Sequence, residues 1–155
     1  MATVLPDVLT EEHVTLALQA GSRDEALREI IATMSGAAKL ADPEKFLGKV
    51  LAREEEHSTY MGNGVAFPHA RTDVVQQIIF GAGRSQDGVL FSAEGERVHL
   101  LFVIAVPRRM VNDYLVCVGA LARVVNEAET RAALRNCATK AEFIELIRAA
   151  SLLLE

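Results

Sequence analysis

The chain has no tryptophan and only two cysteines among its 155 residues. Cys117 and Cys137 are too few for a disulfide framework or a four-cysteine zinc site, and both lie in helical, partly apolar segments. We therefore interpret both as buried free thiols. Aromatic residues are also scarce, at 5% of the chain against an apolar fraction of 50%. The core must therefore consist mainly of leucine, valine, isoleucine and alanine.

The chain also lacks an excess of positive charge and any long hydrophobic run. Its 16 lysines and arginines face 21 aspartates and glutamates, and the net charge of -5 disfavours binding to nucleic acid phosphates. The longest apolar runs, such as residues 100–106, are far shorter than the roughly 20 residues that span a bilayer. Residues 1–7 lack the pattern of a secretory signal. We expect a cytoplasmic protein that binds no nucleic acid and has no direct membrane insertion.

The length predicts one domain over residues 1–155, long enough to bury roughly two thirds of the surface that the unfolded chain exposes. No repeat, low-complexity segment or linker divides the chain. The apolar and turn patterns predict a loop over residues 70–75. They predict strands over residues 13–18, 65–67, 77–83 and 98–105.

Start and stop residues predict the helices. Ser22 begins a candidate capping box for a helix that ends near Gly36. Asp42, followed directly by proline, has the order of an N-cap and a first helical position, and this helix carries Arg53 near its end. A later helix is predicted to begin at a cap on Asp113. The remaining amphipathic helices are predicted over residues 129–136 and 140–153.

The run over residues 98–105 is apolar at nearly every position. Such a run is typical of a central strand buried on both faces, because a strand with one exposed face would alternate apolar and polar residues. The expected fold is therefore α/β, a single-domain sandwich in which helices cover both faces of a mixed β-sheet.

Residues 61–71 carry the strongest functional signal, because they present a histidine after a glycine-rich turn and a proline. Pro68 fixes its own φ and biases the preceding residue towards an extended backbone, so rigid backbone positions His69. Gly62 and Gly64 permit conformations that leave peptide N–H groups available to an anion near that histidine. The same spacing also fits a tight turn that feeds a strand ending in histidine.

Residues 62–69 resemble the phosphohistidine signature of type 2 enzyme IIA domains, the fructose, mannitol and nitrogen-regulatory group of the bacterial sugar phosphotransferase system. Residues 53–59 resemble the Arg-Glu and Ser-Thr elements of this family. Residues 98–107 are similar to the strand that precedes the family's second active-site position. The resemblance covers nearly the whole chain and implies the same α/β fold.

The resemblance implies that His69 accepts a phosphoryl group. Histidine can act as a nucleophile, and its unperturbed pKa of about 6.5 leaves much of it neutral at cytoplasmic pH, so no metal or cofactor is needed. Arg53 is the preferred phosphate partner, because a guanidinium stays protonated and forms paired hydrogen bonds, although a simple helix-end charge is the alternative. Ser58 and Thr59 can give hydroxyl donors to the phosphate or bond the local backbone as turn residues.

Tyr114 departs from the family pattern. The family usually has a second histidine that interacts with the phosphorylated one, and an alignment through residues 112–115 puts Tyr114 at that position. A phenol can donate one hydrogen bond to phosphate, but it cannot become a cation. Tyr114 is therefore a candidate phosphate-binding residue, with simple packing at the surface as the alternative.

The other three histidines have simpler interpretations. His13 and His99 lie in strand-like runs and are interpreted as structural residues. His57 is interpreted as an exposed loop residue, although its closeness to the motif would also let it replace the second imidazole through space. A zinc site built on His57 and His69 would lack a third ligand at a recognisable spacing.

Three functions follow as hypotheses. In the first, which the resemblance implies, His69 takes a phosphoryl group from the histidine-containing phosphocarrier protein and passes it to a cysteine of an enzyme IIB component. In the second, the phosphorylation state of His69 changes the affinity for a transporter, kinase or transcription regulator through new charge at the interface. In the third, the chain is a scaffold that has lost phosphotransfer.

Overall fold

A six-stranded mixed sheet forms the centre of this computed structural model, which describes residues 9–34, 40–91 and 95–152. The strands in chain order are β1 Val14–Thr15, β2 Tyr60–Gly62, β3 Val65–Ala66, β4 His69–Thr72, β5 Ile79–Leu90 and β6 Arg97–Pro107. Their spatial order is β1-β5-β6-β3-β2, and β4 also pairs with β6. β5 and β6 are antiparallel, whereas β3 and β4 both run parallel to β6.

Helices pack against both faces of the sheet. They are α1 Arg23–Met34, α2 Pro43–Glu56, α3 Val111–Asn126, α4 Ala128–Asn136 and α5 Lys140–Leu152. Short 3₁₀ turns at Glu11–His13 and Arg108–Met110 come directly before β1 and α3.

β6 is buried along both faces, which confirms the interpretation of its apolar run. Leu100, Phe102 and Ile104 pack towards α3, α4 and α5, whereas Leu101 and Val103 pack towards α1 and α2. All five side chains are at most 1% exposed. Burial of each stabilises the fold by roughly 1.5–3 kcal/mol. Helices therefore cover both faces of a mixed sheet, and the predicted fold class is confirmed.

α1 lies very close to the sheet where it crosses β5. A Cβ atom at Gly81 would lie 2.8 Å from Cγ2 of Ile30 and 2.8 Å from Sδ of Met34. Because optimal contact between carbon atoms lies near 3.5–4.0 Å, a side chain at this position would push the helix away. Glycine at this position therefore allows α1 to pack closely against one face of the sheet.

α2 begins as predicted and places two charged residues near the sheet. The Asp42 side chain accepts a hydrogen bond from the backbone N–H of Lys45 at 3.1 Å, and Pro43 is the first helical residue. The helix packs along β4. Its last turn therefore carries Arg53 and Glu54 to the strand that begins with His69.

Several boundaries differ from the sequence prediction. The strand predicted over residues 13–18 is shortened to β1, because a 3₁₀ turn occupies its start. The loop predicted over residues 70–75 begins as β4, because β6 offers a parallel edge with which these residues pair. Asp113 lies in the first turn of α3, whose N-cap is Met110, and there its charge still favours the helix dipole. The predicted end near Gly36 and residue 153 lie outside the described residues.

Cys117 and Cys137 are both buried and form no disulfide, as predicted. Both belong to the apolar cluster between the sheet and helices α3 to α5. In the part of the chain that the structure describes, no helix has the length and apolar character required to cross a membrane.

Candidate functional site

A tight turn between β2 and β3 precedes the candidate histidine. Gly62, Asn63 and Gly64 have positive φ angles of 89°, 56° and 76°. Glycine and asparagine adopt this left-handed backbone at little cost, which explains the composition of the turn. The Gly64 carbonyl oxygen then accepts hydrogen bonds from the N–H groups of His99 and Leu100, at 2.8 and 3.1 Å. The turn therefore begins the pairing of β3 with β6.

Pro68 lies between β3 and β4, where the chain continues along the edge of β6. Its carbonyl oxygen accepts a hydrogen bond from the N–H of Ile104 at 2.9 Å, and His69 is the register partner of Ile104. The Phe67 ring is buried and packs edge-on against Phe102, with ring centroids 5.9 Å apart. Backbone pairing and aromatic packing therefore fix the position of the main chain at His69.

The imidazole of His69 is held in one tautomer. Its Nδ1 atom lies 2.9 Å from the carbonyl oxygen of Phe67. A carbonyl oxygen can only accept a hydrogen bond, so Nδ1 carries the proton and donates it. In a neutral ring the lone pair then belongs to Nε2. Nε2 is therefore the nucleophilic atom of this side chain.

The charge of Arg53 acts on His69. Burial lowers the pKa of His69 below its ordinary value of 6.5, and the charge of Arg53 lowers it further, against the opposite effects of the Phe67 carbonyl and Glu54. Arg53 lies in the last turn of α2, where its Nη1 donates a hydrogen bond to the carbonyl oxygen of His57 at 2.8 Å. Other N–H groups of the guanidinium fork can bind an anion. At neutral pH the site therefore combines a neutral imidazole with a fixed cation.

Tyr114 approaches the same histidine from α3. The centroids of the Tyr114 and His69 rings lie 5.2 Å apart, with 36° between the ring planes. Burial raises the pKa of Tyr114 above its ordinary value of 10.0, and the charge of Arg53 opposes that shift. The phenol is therefore a neutral O–H donor at neutral pH. The structure thus brings His69, Arg53 and Tyr114 together from three different elements.

The hydroxyls of Ser58 and Thr59 make local contacts. The Ser58 hydroxyl oxygen accepts a hydrogen bond from the N–H of Tyr60 at 3.2 Å, as in a local turn. Thr59 is buried, and its hydroxyl donates to the carboxylate of Glu54. Ser58 therefore has the local backbone bonding that was the alternative to phosphate binding, whereas the Thr59 hydroxyl bonds a buried side chain.

Gly64 lies away from His69 along the sheet. Its carbonyl pairs with His99 and the backbone of His69 pairs at Ile104, so five strand residues, or roughly 16 Å, separate the two places. The Gly64 N–H donates to the hydroxyl of Tyr60 at 3.4 Å. The structure does not bring Gly64 to His69, because β3 and β4 lie one after the other along β6.

Glu54 acts on His69 by its charge, and from the sequence it had no predicted role beyond its place in the Arg-Glu element of residues 53–59. It is 5% exposed, and its carboxylate accepts hydrogen bonds from both the N–H and the hydroxyl of Thr59. The signal for it was present in α2, where Phe46, Val50 and Glu54 recur at intervals of four on the buried face. A carboxylate on an apolar helical stripe requires buried hydrogen-bond donors, and Thr59 is such a donor.

The other histidines have structural or exposed positions. His13 is buried with Nδ1 3.1 Å from the carbonyl oxygen of Phe80, and His99 is half-buried with Nδ1 3.0 Å from that of Ser85. His57 is exposed, as interpreted from the sequence. Within residues 9–34, 40–91 and 95–152, no group of three or more histidine, cysteine, aspartate or glutamate residues could hold a metal ion.

Known protein families provide an independent comparison. The sequence profile described as "Phosphoenolpyruvate-dependent sugar phosphotransferase system, EIIA 2" matches residues 7–150. The chain belongs to this enzyme IIA family. The resemblance found through residues 62–69 is therefore confirmed over most of the chain. His69, which Arg53 and Tyr114 approach, is the histidine of that signature.

Curated relatives of this enzyme IIA domain include proteins named for fructose specificity and for nitrogen regulation. The chain is 29% identical over 144 residues to the "PTS system fructose-specific EIIABC component" of Bacillus subtilis, which covers 92% of this chain and 23% of that protein. It is 28% identical over 144 residues to the "Nitrogen regulatory protein" of Pseudomonas aeruginosa, which covers 92% of this chain and 94% of that protein. The chain therefore spans less than a quarter of the first relative and nearly all of the second.

Solved structures show the same enzyme IIA fold. The nitrogen regulatory protein IIA-Ntr of Neisseria meningitidis superposes with a TM-score of 0.84 at 25% identity, over 92% of this chain and 97% of that chain. Enzyme IIA mannitol in a complex with phosphorylated enzyme IIB mannitol, from Escherichia coli, has a TM-score of 0.77 at 22% identity. That match covers 91% of this chain and 97% of that chain.

Proposed function

We propose that the chain is a phosphocarrier. Its His69 accepts a phosphoryl group on Nε2 from the histidine-containing phosphocarrier protein and passes it to a cysteine of an enzyme IIB component. The observation that carries the proposal is the neutral imidazole, protonated on Nδ1 and nucleophilic on Nε2, beside the charge of Arg53. Such a ring nitrogen is competent as a nucleophile with no metal ion.

Both transfer steps are displacements at phosphorus. In the first, the lone pair of Nε2 forms a P–N bond as the P–N bond to the donor's histidine breaks, and the donor ring keeps that electron pair. The proton on Nδ1 stays with the ring, so phosphorylated His69 is an imidazolium that bears a dianionic phosphoryl group. In the second, a cysteine thiolate attacks phosphorus and the P–N electrons return to Nε2. Retention of the Nδ1 proton lets the ring leave as neutral imidazole.

Arg53 and Tyr114 supply the electrostatic part of the mechanism. Catalysis of phosphoryl transfer consists mainly of positioning and of stabilising the charge on the equatorial oxygens. The guanidinium of Arg53 is anchored at one end by the His57 carbonyl and presents further donors to those oxygens. The neutral hydroxyl of Tyr114 adds one hydrogen bond, worth about 1 kcal/mol.

The names of relatives support this route. The Bacillus subtilis relative is named as a fructose-specific EIIABC component. In the Escherichia coli complex, an enzyme IIA of the same fold is paired with a phosphorylated enzyme IIB. An enzyme IIB component is therefore the acceptor that we favour for this chain.

A regulatory role is the second candidate, and two observations favour it. The Pseudomonas aeruginosa nitrogen regulatory protein matches this chain over 94% of its own length. Tyr114 also gives the phosphorylated ring a neutral neighbour in place of a second imidazole, which changes how the phosphoryl group is held. In this role the dianion on His69 would switch affinity for a transporter, kinase or transcription regulator.

The test is incubation of the chain with the phosphorylated phosphocarrier protein, followed by mass spectrometry and then by addition of an enzyme IIB component. We expect one acid-labile phosphoryl group on His69 and its discharge when the acceptor cysteine is added. An acceptor variant that lacks the cysteine is the matched control and should leave the label in place. A chain that takes no phosphoryl group would reject the proposal, and a label that no acceptor discharges would favour the regulatory role.

A further inference from the structure

We propose that Glu54 is a positioning residue for His69. It acts through the backbone of Thr59 and the carbonyl of Phe67, and not on the phosphoryl group itself. The kinetic part of this inference rests on the proposed function of His69, whereas the structural part concerns the ring tautomer alone.

A series of hydrogen bonds connects the carboxylate to the imidazole. The N–H of Thr59 donates to Oε2 of Glu54 at 3.1 Å, and the Thr59 hydroxyl donates to Oε1. The N–H of Phe67 donates to the Thr59 carbonyl oxygen at 3.2 Å. Nδ1 of His69 then donates to the Phe67 carbonyl oxygen at 2.9 Å. Glu54 therefore anchors one end of a path that orients the His69 ring at the other.

The path is shielded from water along its length. Glu54, Thr59 and Phe67 are 5%, 7% and 3% exposed. Hydrogen bonds in such surroundings are stronger and more rigid than at the surface, and a buried carboxylate without partners would be strongly destabilising. An apolar residue would continue the buried stripe of α2 without that requirement. A carboxylate at this position is therefore better explained by its hold on Thr59 than by packing.

Glu54 and its neighbour Arg53 act on His69 in opposite senses. The charge of Arg53 lowers the pKa of His69 and the charge of Glu54 raises it, while Tyr114 contributes a neutral ring from α3. The cation suits the phosphoryl oxygens, and the anion suits the positive charge that the ring gains when Nε2 is phosphorylated and Nδ1 keeps its proton. Arg53 and Glu54, which are consecutive in α2, would thus stabilise the phosphoryl oxygens and the charged ring of the phosphohistidine, respectively.

Loss of the carboxylate should loosen the path from its anchor. Thr59 would lose the bonds that its backbone N–H and its hydroxyl donate to the carboxylate, and the Phe67 carbonyl would then hold the ring proton less well. A ring released from this contact populates the tautomer with the proton on Nε2, which is not nucleophilic at that atom. Small misplacements of a reacting group of this kind reduce rates by about 100-fold in extreme cases.

The test compares Glu54→Gln with Glu56→Gln by nitrogen NMR of the His69 ring in the unphosphorylated protein. Glu56 is an exposed residue in the same turn of α2, so its variant removes the same charge without touching Thr59. We expect Glu54→Gln to lower the pKa of His69 further and to reduce the fraction of rings with the proton on Nδ1. Glu56→Gln should match the parent. Phosphorylation by the donor protein should slow by about tenfold in Glu54→Gln only.

A second pair of variants tests the same path from Thr59. Thr59→Ser keeps the hydroxyl and should match the parent in ring tautomer and rate. Thr59→Val removes one of the two bonds to Glu54 and should shift both readouts in the direction of Glu54→Gln, by a smaller amount. Rescue by serine but not by valine assigns the effect to the hydrogen bond.

The possible results are distinguishable from failure of the proposed function. A parent protein with the His69 proton on Nε2 would overturn the inference before any variant is made. So would a Glu54→Gln protein whose tautomer and pKa of His69 equal those of the parent, even if its thermal midpoint falls. A parent with the expected tautomer that takes no phosphoryl group would reject the proposed function and leave the positioning role in place.

Discussion

His69 and His99 have nearly the same local hydrogen-bond geometry. Both are half-buried, both lie in the sheet, and in each ring Nδ1 is close to a main-chain carbonyl oxygen, at 2.9 Å for His69 and 3.0 Å for His99. Each contact places the proton of a neutral ring on Nδ1. The tautomer that makes Nε2 nucleophilic is therefore common to both, and it does not distinguish a phosphoryl acceptor from a structural histidine.

The two rings differ in their surroundings. His69 has the charge of Arg53 and the ring of Tyr114 beside it. His99 packs against glycines: an added Cβ at Gly64 would lie 3.3 Å from its Cδ2, and one at Gly88 would lie 3.3 Å from its Nε2. The His99 ring is therefore closely packed, since it would have to shift by a few tenths of an ångström to admit a side chain at either glycine. The charge of Arg53 and the ring of Tyr114, and not the ring tautomer, distinguish His69 from His99.

Removal of each ring in turn should have the largest and most different effects. His69→Ala should abolish labelling by the phosphorylated donor, because the nucleophile is lost. His99→Ala should keep labelling and lose roughly 1–3 kcal/mol of stability, since it removes a half-buried ring and its hydrogen bond to the Ser85 carbonyl. Mass spectrometry and thermal unfolding measure the two effects. Equal labelling of His69→Ala and the parent would show that another residue is the acceptor.

Removal of the cation should have the next largest effect. Arg53→Ala should slow phosphorylation by about 100-fold, by analogy with loss of one charge-stabilising donor in other active sites. Its thermal midpoint should stay close to that of the parent, because the side chain lies at a helix end and makes one backbone hydrogen bond.

Arg23→Ala is a matched control for Arg53, because it removes an arginine that pairs with Asp24 and Glu55 at the surface. It should leave the labelling rate unchanged. A large loss of stability in Arg53→Ala with normal phosphorylation would make Arg53 a structural residue.

Changes at Tyr114 should have a smaller effect. Tyr114→Phe removes one hydroxyl bond to the phosphoryl group, worth about 1 kcal/mol or roughly fivefold in rate. Tyr114→His supplies an imidazole that can become a cation and should change the transfer rate or the lifetime of phosphorylated His69. The measurement is loss of label with time, with and without a cysteine-bearing acceptor. Identical kinetics for the parent and both variants would place Tyr114 outside the mechanism.

The labelling rate should fall less with decreasing pH than expected for a free histidine, and this effect is smaller than those of the substitutions above. Between pH 7 and pH 6 an imidazole of pKa about 6.5 loses roughly threefold of its neutral form. The pKa of His69 is lower, by burial first and by Arg53 in addition, so its neutral form persists to lower pH and the rate should fall less. NMR titration of His69 checks the sign directly. A midpoint above 6.5 would contradict it.

Gly64→Ala should have no effect on the labelling rate, because the turn lies roughly 16 Å from the pairing position of His69. It should reduce stability by about 1 kcal/mol or more, since alanine is strained at a φ of 76° and its Cβ would crowd His99. Labelling and thermal unfolding of the same preparation measure both. A strong loss of labelling in a stable variant would restore Gly64 as a phosphate-binding residue.

Local signals explain what could be predicted from the sequence. The apolar run of β6 predicted a central strand, and the order of Asp42 and Pro43 predicted the start of α2, because periodicity and capping depend on neighbours in the chain. His69 was marked by its own proline and glycine context, and family resemblance brought Arg53 and Tyr114 to it. These three residues do lie together in the structure.

Residues close together in the chain were enough to predict the buried central strand, the start of the helix that carries Arg53 and the choice of His69 as the candidate acceptor. The burial of Glu54, the hydrogen bond that the Thr59 hydroxyl donates to it and the separation of Gly64 from His69 became visible in the folded chain alone. Those facts depend on how β3 and β4 align along β6 and on which face of α2 meets the sheet. Register and packing are set by the whole core at once, and no short segment contains them.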